Sequence, residues 1–298
     1  MLVARVLGNP ASINEKDLDA KGEEMKAQMQ ESNTAGAKVV SAAAWLEARK
    51  EFLKKEKEFT RLRDELSRQR RELPWEKVEK EYVFEGSHGK ATLAELFDGR
   101  SQLIVYHFMF GPEWQEGCPG CSFVSDHLGG SIPHLNARDV TLVAISHAPI
   151  GQIEEFKKRM GWGFRWLSSN GNDFNRDYHV SFGKEDVANG QVYYNYESRK
   201  FPKDEGPGAS VFFKDAEENI YHTYSTFGRG LEVLLGTYSL LDMVPKGRDE
   251  EALPSPMAWV RHHDRYVDGR AAGSEDVHSP VSASQAAPSA THKCCSGE

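Results

Sequence analysis

The sequence predicts an α/β domain with a central mixed sheet flanked by helices. Apolar runs of strand length, at residues 103–106 and 139–146, alternate with segments whose apolar residues recur at helical spacing. This order is typical of parallel strands joined by crossover helices. Two later apolar runs, at residues 209–214 and 219–226, are separated by a short acidic turn and predict a β-hairpin. A hydrophobic content of 39%, with 10% aromatic residues, is sufficient for a packed core.

The overall charge and composition argue against several classes of function. The chain has 298 residues and a formal net charge of −8, which disfavours non-specific nucleic-acid binding as its main activity. No apolar run approaches the ~20 residues of a membrane helix, and the N-terminal stretch has no apolar signal core. The four cysteines do not resemble a disulfide scaffold. We therefore expect a protein of the reducing cytoplasm with no nucleic-acid and no membrane partner.

The chain is predicted to contain four segments. Residues 1–40 are polar and weakly patterned, so we expect a flexible arm. Residues 41–73 predict a long amphipathic helix, because apolar residues recur at steps of three and four between charged ones. Residues 75–268 hold the α/β domain. Residues 269–298 are rich in Ala, Ser, Pro and Gly and predict a disordered tail.

The long helix and the tail each leave alternatives open. The apolar stripe of the helix packs on the domain or against a second copy of the chain in a homodimer, and nucleic-acid binding by its arginines is disfavoured by the interleaved acidic residues. Cys294 and Cys295 in the tail either exchange with other cysteines, or carry a soft metal to them, or are exposed thiols without a partner. The stripe consists of Trp45, Ala48, Phe52, Phe59, Leu62, Leu66 and Leu73.

Short elements are predicted at the start of the domain. Residues 82–84 form a short strand, and residues 87–90 have the composition of a turn. The spacing of Thr92 and Glu95 is that of a capping box, which predicts a short helix through Phe97. The strand that begins at residue 103 follows directly.

A Cys-x-x-Cys motif follows this strand. The apolar run continues to Phe110, and a short polar loop leads to Cys118-Pro119-Gly120-Cys121 at the start of a helical pattern. A cysteine pair at a strand-to-helix junction indicates a thiol–disulfide redox site. Unpaired N–H groups and the helix dipole would lower the pKa of Cys118. Pro119 suits the first position of the helix. Cys121 lies one turn further on, where it can resolve a mixed disulfide. The alternatives are half of a zinc site, which needs two more ligands, or two inert thiols.

The remaining elements continue the α/β pattern. Residues 150–160 predict a helix with an apolar face, and residues 164–168 a short strand. The polar stretch 170–195 is predicted to be an insertion or a lid. After the hairpin, residues 228–241 predict the last helix.

This arrangement resembles the thioredoxin fold, and several motifs are similar to one thioredoxin-like family of poorly characterised function. The resemblance extends from Leu46 to Tyr266. It implies dithiol–disulfide chemistry, since members are sometimes labelled dithiol–disulfide isomerases, without an agreed substrate. The motifs are Tyr106-His107-Phe108-Met109-Phe110, Cys118-Pro119-Gly120-Cys121-Ser122-Phe123, Asp126-His127, Tyr221-His222-Thr223-Tyr224-Ser225-Thr226, Arg229-Gly230, Leu241-Asp242 and the stretch from Trp259 to Tyr266.

The sequence departs from two related patterns. In thioredoxin a cis-proline just before the hairpin strand faces the cysteines, whereas here three residues separate Pro207 from Val211. Peroxiredoxins place a proline and then a threonine or serine ahead of the reactive cysteine. Here Pro112 precedes Cys118 by six positions and no hydroxyl residue stands between them.

Four residues besides the cysteines are candidates for supporting roles. Pro119 begins the helix, and Trp114 either shields the disulfide from water or is a packing residue. His147 follows the second long strand, at the end where open α/β sheets bind ligands. Arg229 either lowers the pKa of the thiol as a nearby cation or forms a salt bridge elsewhere.

These observations predict a thiol–disulfide oxidoreductase that acts on a disulfide or an oxidised thiol. No cofactor and no metal are expected, and the reductant would be of the thioredoxin or glutathione type. One alternative is a peroxiredoxin-like peroxide reductase, in which Cys118 becomes a sulfenic acid that Cys121 resolves. The other is a redox-inactive binding module that uses the crevice of the fold or the long helix.

Overall fold

The computed structural model of the protein describes residues 37–266. Residues 1–36 of the predicted arm, and the whole predicted tail with Cys294 and Cys295, lie outside the described residues. The chain divides into two compact units, the first ending at Arg70 and the second beginning at Arg71. Helix α1, Ala42–Arg70, makes up the described part of the first unit together with residues 37–41 before it. Its apolar stripe is exposed, and ion pairs between residues three apart, such as Glu65 with Arg68, stabilise its charged surface.

The second unit is built on an eight-stranded mixed sheet. The strands of the domain are β1 Glu76–Lys77, β2 Val83–Gly86, β3 Gly89–Thr92, β4 Gln102–His107, β5 Val140–Ser146, β6 Trp166–Ser168, β7 Val192–Tyr194, β8 Glu197–Arg199, β9 Gly208–Lys214 and β10 Ile220–Phe227. The order of strands in the large sheet is β1-β10-β9-β4-β5-β6-β2-β3, and β7 and β8 form a separate two-stranded sheet.

Short helices connect these strands. The α-helices are α2 Pro119–Ser125, α3 Ile132–Asn136, α4 Ile150–Arg159, α5 Phe174–Asp177, α6 Lys184–Asn189 and α7 Gly236–Leu241. The 3₁₀ turns are Ala94–Phe97, Gly129–Ser131, Gly228–Leu234 and His263–Arg265. The segment predicted as one last helix is thus divided, since a 3₁₀ turn precedes α7 and the backbone of Leu235 between them is not helical.

The centre of the sheet confirms the predicted α/β class and the thioredoxin-like fold. Strands β4, β5 and β6 are parallel to one another, and β9 pairs antiparallel with both β4 and β10. The first βαβ unit is therefore completed by an antiparallel hairpin and a terminal helix, which is the arrangement that the resemblance implied. Helix α2, which follows the central strand β4, carries the Cys-x-x-Cys motif.

Each face of the sheet has its own core, because alternate side chains of a strand point to opposite faces. Ile104 and Tyr106 of β4 contribute to the core that includes Cys121, whereas Leu103 and Val105 contribute to the other one. Tyr106 therefore lies on the same side of the sheet as the cysteines.

Residues 108–110 leave the sheet but stay buried. The N–H of Phe108 donates to the carbonyl of Ile145, and the N–H of Ala148 donates to the carbonyl of Phe110, so loop contacts replace the strand ladder. Phe108 packs on Trp166, with 4.4 Å between ring centroids, and the indole N–H of Trp166 donates to Ser146 Oγ at 2.9 Å. This aromatic cluster supports the segment that leads to the cysteines.

Candidate active site

The two cysteines lie at the N-terminus of α2. Cys118 is the N-cap residue, with φ −59° and ψ 130°, and Pro119 occupies the first helical position. The N–H of Ser122 donates to the carbonyl of Cys118 at 2.9 Å, which closes the first turn of the helix. The proline pre-sets the helical φ and has no N–H to leave unpaired, so the local sequence directs the helix to begin here.

The two thiols differ in their surroundings. Both cysteines are free; Cys118 is half-buried and Cys121 is buried. The N–H of Met109 donates to the Cys121 sulfur at 3.4 Å. The Tyr106 hydroxyl is buried without a nitrogen or oxygen partner among residues 37–266, and burial together with the Cys121 thiol raises its pKa. Cys121 is thus held in place from the floor of the site, while Cys118 keeps part of its surface exposed.

The environment shifts the pKa values of the two thiols in opposite directions. A hydrogen bond from the Cys121 thiol lowers the pKa of Cys118 to about 6, and the N–H groups of Cys121 and Gly120 and the charge of Lys203 act in the same direction, against the effect of burial. Burial raises the pKa of Cys121 well above its ordinary value, and the hydrogen bond to Cys118 adds to this. At neutral pH Cys118 is therefore the thiolate and Cys121 keeps its proton.

The segment 203–207, just before β9, supplies the cation near Cys118. The ammonium of Lys203 lies 5.0 Å from the centroid of the Trp114 ring, a cation–π contact. The indole N–H of Trp114 donates to Asp204 Oδ1 at 3.2 Å. Trp114 and Cys118 are both half-buried against the same core. The tryptophan therefore fixes the segment that carries the charge.

His147 serves a different cluster. Its Nδ1 lies 3.0 Å from Glu205 Oε1, and the Ser181 hydroxyl donates to the other oxygen of that carboxylate at 2.7 Å. Glu205 is buried, and burial raises its pKa. His147 is not among the residues that line the cavity at the cysteines. It anchors the segment 203–207 and does not contact that cavity.

Arg229 lines the dithiol cavity, but its charge is paired. Its Nε donates to Glu232 Oε1 at 2.9 Å, and its side chain is 89% exposed. Lys203, which supplies the cation near Cys118, lies 85 positions after it (203 − 118) and stands in no motif of the sequence. The one available signal was Pro207, since the thioredoxin pattern places the residues before the hairpin strand opposite the cysteines. Pro207 does line the cavity, and the peptide bond that precedes it is trans.

A cavity of about 400 Å³ opens directly above the cysteines. Its walls include Met109, Val124, Pro207, Leu231, Leu235 and Met257. The last of these belongs to a segment after α7 that covers the motif, and a Cβ added to Gly120 would lie 3.3 Å from Met257 Cε. The glycine in the motif therefore allows this close approach.

The structure also bears on metal and membrane binding. Within residues 37–266, the His, Cys, Asp and Glu side chains form no group of three that could hold a metal ion. No helix in the same range combines the length and the apolar character that crossing a membrane requires.

The cation near Cys118 gives a testable prediction. Lys203→Gln removes a positive charge that favours the Cys118 thiolate, so the pKa of Cys118 should rise above about 6. We expect alkylation of Cys118 by iodoacetamide at pH 6 to slow by about threefold, whereas the rate at pH 9 stays the same because the thiol is then ionised in both proteins. The rate is followed by mass spectrometry of the peptide that contains Cys118. Lys200→Gln, at an exposed position, is the control, and an unchanged pH profile in Lys203→Gln would contradict the assignment.

Comparison with known proteins identifies a family for this chain. The family model described as "Bacterial protein of unknown function (DUF899)" matches residues 34–266. A comparison with curated proteins finds no match.

Several solved structures are similar over about half of the chain. Peroxidoxin BcpB from Mycobacterium tuberculosis is 12% identical with a TM-score of 0.38, and the similarity covers 55% of this chain and 95% of that one. A peroxiredoxin Q variant from Xanthomonas campestris is 12% identical with a TM-score of 0.36, covering 53% and 90%. A PrxQ variant from Xylella fastidiosa is 10% identical with a TM-score of 0.33, covering 53% and 88%.

Proposed function

We propose that this chain, which belongs to the DUF899 family of bacterial proteins of unknown function, is a thiol–disulfide oxidoreductase that acts through Cys118 and Cys121. The observation that carries the proposal is the opposite displacement of the two pKa values. Cys118 at the helix N-cap has a lowered pKa, and its buried neighbour Cys121 has a raised one. Such a pair supplies a nucleophile and a protonated resolving thiol in one site.

The reaction proceeds in two displacements. The Cys118 thiolate attacks one sulfur of a disulfide R–S–S–R′, the S–S bond breaks, and the leaving thiolate RS⁻ takes the proton of Cys121. The Cys121 thiolate then attacks the Cys118 sulfur, which releases R′S⁻ to take a proton from solvent. The substrate is reduced to two thiols and the protein dithiol is oxidised to a disulfide. A thiol reductant of the thioredoxin or glutathione type would restore the dithiol.

The surroundings of Cys118 favour disulfide over peroxide chemistry. The hydroxyl groups among the residues that line the cavity are those of Tyr106 and Tyr238, and Arg229 is paired with Glu232. The wall therefore lacks the threonine or serine that the peroxiredoxin pattern places near its reactive cysteine. Peroxide reduction and a redox-inactive binding role remain the alternatives that the following experiment separates.

A single-turnover experiment tests the proposal. The reduced full-length chain is mixed at pH 7 with bis(2-hydroxyethyl) disulfide or with hydrogen peroxide, and N-acetylcysteine is the reference thiol. A thiol with a pKa near 6 is more ionised than free cysteine but less nucleophilic as an anion, so we expect a rate with the disulfide about tenfold above the reference. Peptide mapping should then show a bond between Cys118 and Cys121.

Two other results of this experiment would favour the alternative functions. A larger acceleration with peroxide than with the disulfide would favour the peroxide reductase. Rates no faster than N-acetylcysteine with both oxidants would favour the binding module.

A homodimer through the long helix and a location in the reducing cytoplasm stay predictions. A dimer would bury the exposed stripe of α1, including Trp45 and Phe59. A reducing compartment would supply the thiol reductant that the proposed cycle needs.

A further inference from the structure

The walls of the dithiol cavity are apolar at the positions that a substrate would contact. Leu231 and Leu235 are buried, and Val124 of α2 lines the same cavity. Met257 adds a flexible thioether side chain above Gly120. A volume of about 400 Å³ is in the range of cavities that hold small organic molecules.

The charged groups that line the cavity already have hydrogen-bond partners, and the ammonium of Lys203, which acts on Cys118, is not among the lining residues. Arg248 donates to both carboxylate oxygens of Asp242 at 2.8 Å and to Glu232 at 3.3 Å. Glu250 accepts from the Tyr238 hydroxyl and from the indole N–H of Trp259, each at 2.6 Å. A charged substrate would gain little from groups whose hydrogen bonds are satisfied, and it would lose its own hydration on entry.

The floor of the cavity holds a polar group beside the cysteines. The Tyr106 hydroxyl is buried beside Cys121 and has no nitrogen or oxygen partner among the described residues. The Cys121 thiol is its neighbour and acts on its pKa, so the hydroxyl lies beside one of the two cysteine sulfurs. It can donate to a substrate sulfur while the rest of that molecule lies against the apolar walls.

The covering segment limits how a large molecule can approach. Residues Pro256 and Met257 lie over the Cys-x-x-Cys motif, and Met257 approaches Gly120 closely. A folded protein would have to place an exposed disulfide at the bottom of this cavity. A small molecule enters without displacing the segment.

We infer that the substrate is a small neutral molecule with apolar groups attached to its S–S bond. This inference rests on the proposed function, because it names the substrate class of the same dithiol. The S–S bond is placed at Cys118, one sulfur accepts from the Tyr106 hydroxyl, and the apolar groups occupy the space between Leu231, Leu235 and Met257. Both thiols released by the two displacements are then apolar.

The test compares disulfides that differ in charge but have alkyl thiols as leaving groups. The reduced full-length chain is mixed under single-turnover conditions with dipropyl disulfide, dithiodipropionate, cystamine or insulin. Each rate is divided by the rate of N-acetylcysteine with the same disulfide. We expect the normalised rate for dipropyl disulfide to exceed each of the others by about tenfold or more, a difference of about 1.4 kcal/mol.

The outcomes separate the inference from the proposed function. Equal or higher normalised rates with a charged disulfide or with insulin would overturn the inference and leave the oxidoreductase intact. Failure of all four to oxidise the Cys118–Cys121 pair would overturn both.

A matched pair of variants tests the position of the apolar groups. Met257→Gln keeps the length of the side chain but makes the wall polar, and Met243→Gln makes the same change at a position that is 74% exposed. We expect Met257→Gln to slow the reaction with dipropyl disulfide about fivefold. The reaction with dimethyl disulfide, which is too short to reach the wall, should be slowed much less. Equal effects of Met257→Gln on both disulfides, or an equal effect of Met243→Gln, would contradict the placement.

Discussion

The Cys118→Ser variant is expected to reduce disulfides no faster than the uncatalysed background. Serine cannot supply a thiolate, and the environment that lowers the pKa of Cys118 has no comparable effect on a hydroxyl. Cys121→Ser should behave differently, because the first displacement still occurs and the second does not. We expect it to accumulate a mixed disulfide on Cys118 with a stoichiometry approaching one per chain. Both results are read from the mass of the intact protein after mixing with bis(2-hydroxyethyl) disulfide.

The double variant Cys294→Ser/Cys295→Ser is the control for these experiments. If the tail thiols have no part in the cycle, its turnover equals that of the unmodified chain. A loss of turnover in this variant would show that the tail takes part. If Cys121→Ser forms no mixed disulfide on Cys118, the assignment of Cys118 as the attacking thiol is overturned.

Trp166→Ala is expected to cause the largest loss of stability among single substitutions in the domain. The side chain is 1% exposed and contacts Phe108, with Phe156, Trp162 and Phe164 also around it. Removing so large a buried ring leaves a cavity that its rigid aromatic neighbours cannot fill, which typically lowers the free energy of unfolding by about 3–5 kcal/mol. The change is measured by urea denaturation followed by near-UV circular dichroism.

Trp166→Phe separates packing from hydrogen bonding. It keeps an aromatic ring but removes the indole N–H that donates to Ser146 Oγ, so we expect a smaller loss of about 1–2 kcal/mol. A loss below about 1 kcal/mol in Trp166→Ala would contradict the structural role of the cluster. Trp166→Ala should also make the position of the two cysteines less fixed. Residues 108–110 rest on this aromatic cluster, and the Met109 carbonyl accepts a hydrogen bond from the Cys118 N–H.

The α/β class was predictable because its signals are local. The apolar run at residue 103 and the run at residue 139 correspond to β4 and β5, and the short acidic turn corresponds to the turn of the β9–β10 hairpin. Glycine and proline mark the end of the first run, and the proline in the motif marks the start of α2. The resemblance to a family of poorly characterised function is confirmed by the family match over residues 34–266.

The surroundings of the dithiol were harder to predict, because they depend on contacts between distant parts of the chain. Lys203 and Met257 reach the site from segments 85 and 139 residues after Cys118 (203 − 118 and 257 − 118), and neither stands in a motif. The sequence leaves Arg229 two possible roles, beside the thiol or in a salt bridge elsewhere, and the structure pairs it with Glu232 three residues on. His147 follows the expected strand, but its partner Glu205 lies in another loop. Sequence spacing identifies which residue types are available, and the tertiary structure decides which pairs form.

The paired charges of Arg248, Asp242 and Glu232 would affect how a small molecule reaches the cavity. Arg248, Asp242 and Glu232 are close enough that their fields largely cancel within a few ångströms, and the guanidinium of Arg248 also stacks on the Tyr238 ring. A rim of this kind does not steer an approaching molecule over long distances, in contrast to an active site lined by charges of one sign. Association with a neutral partner would then be governed by diffusion and shape, and the concentration of salt would have little influence on its rate.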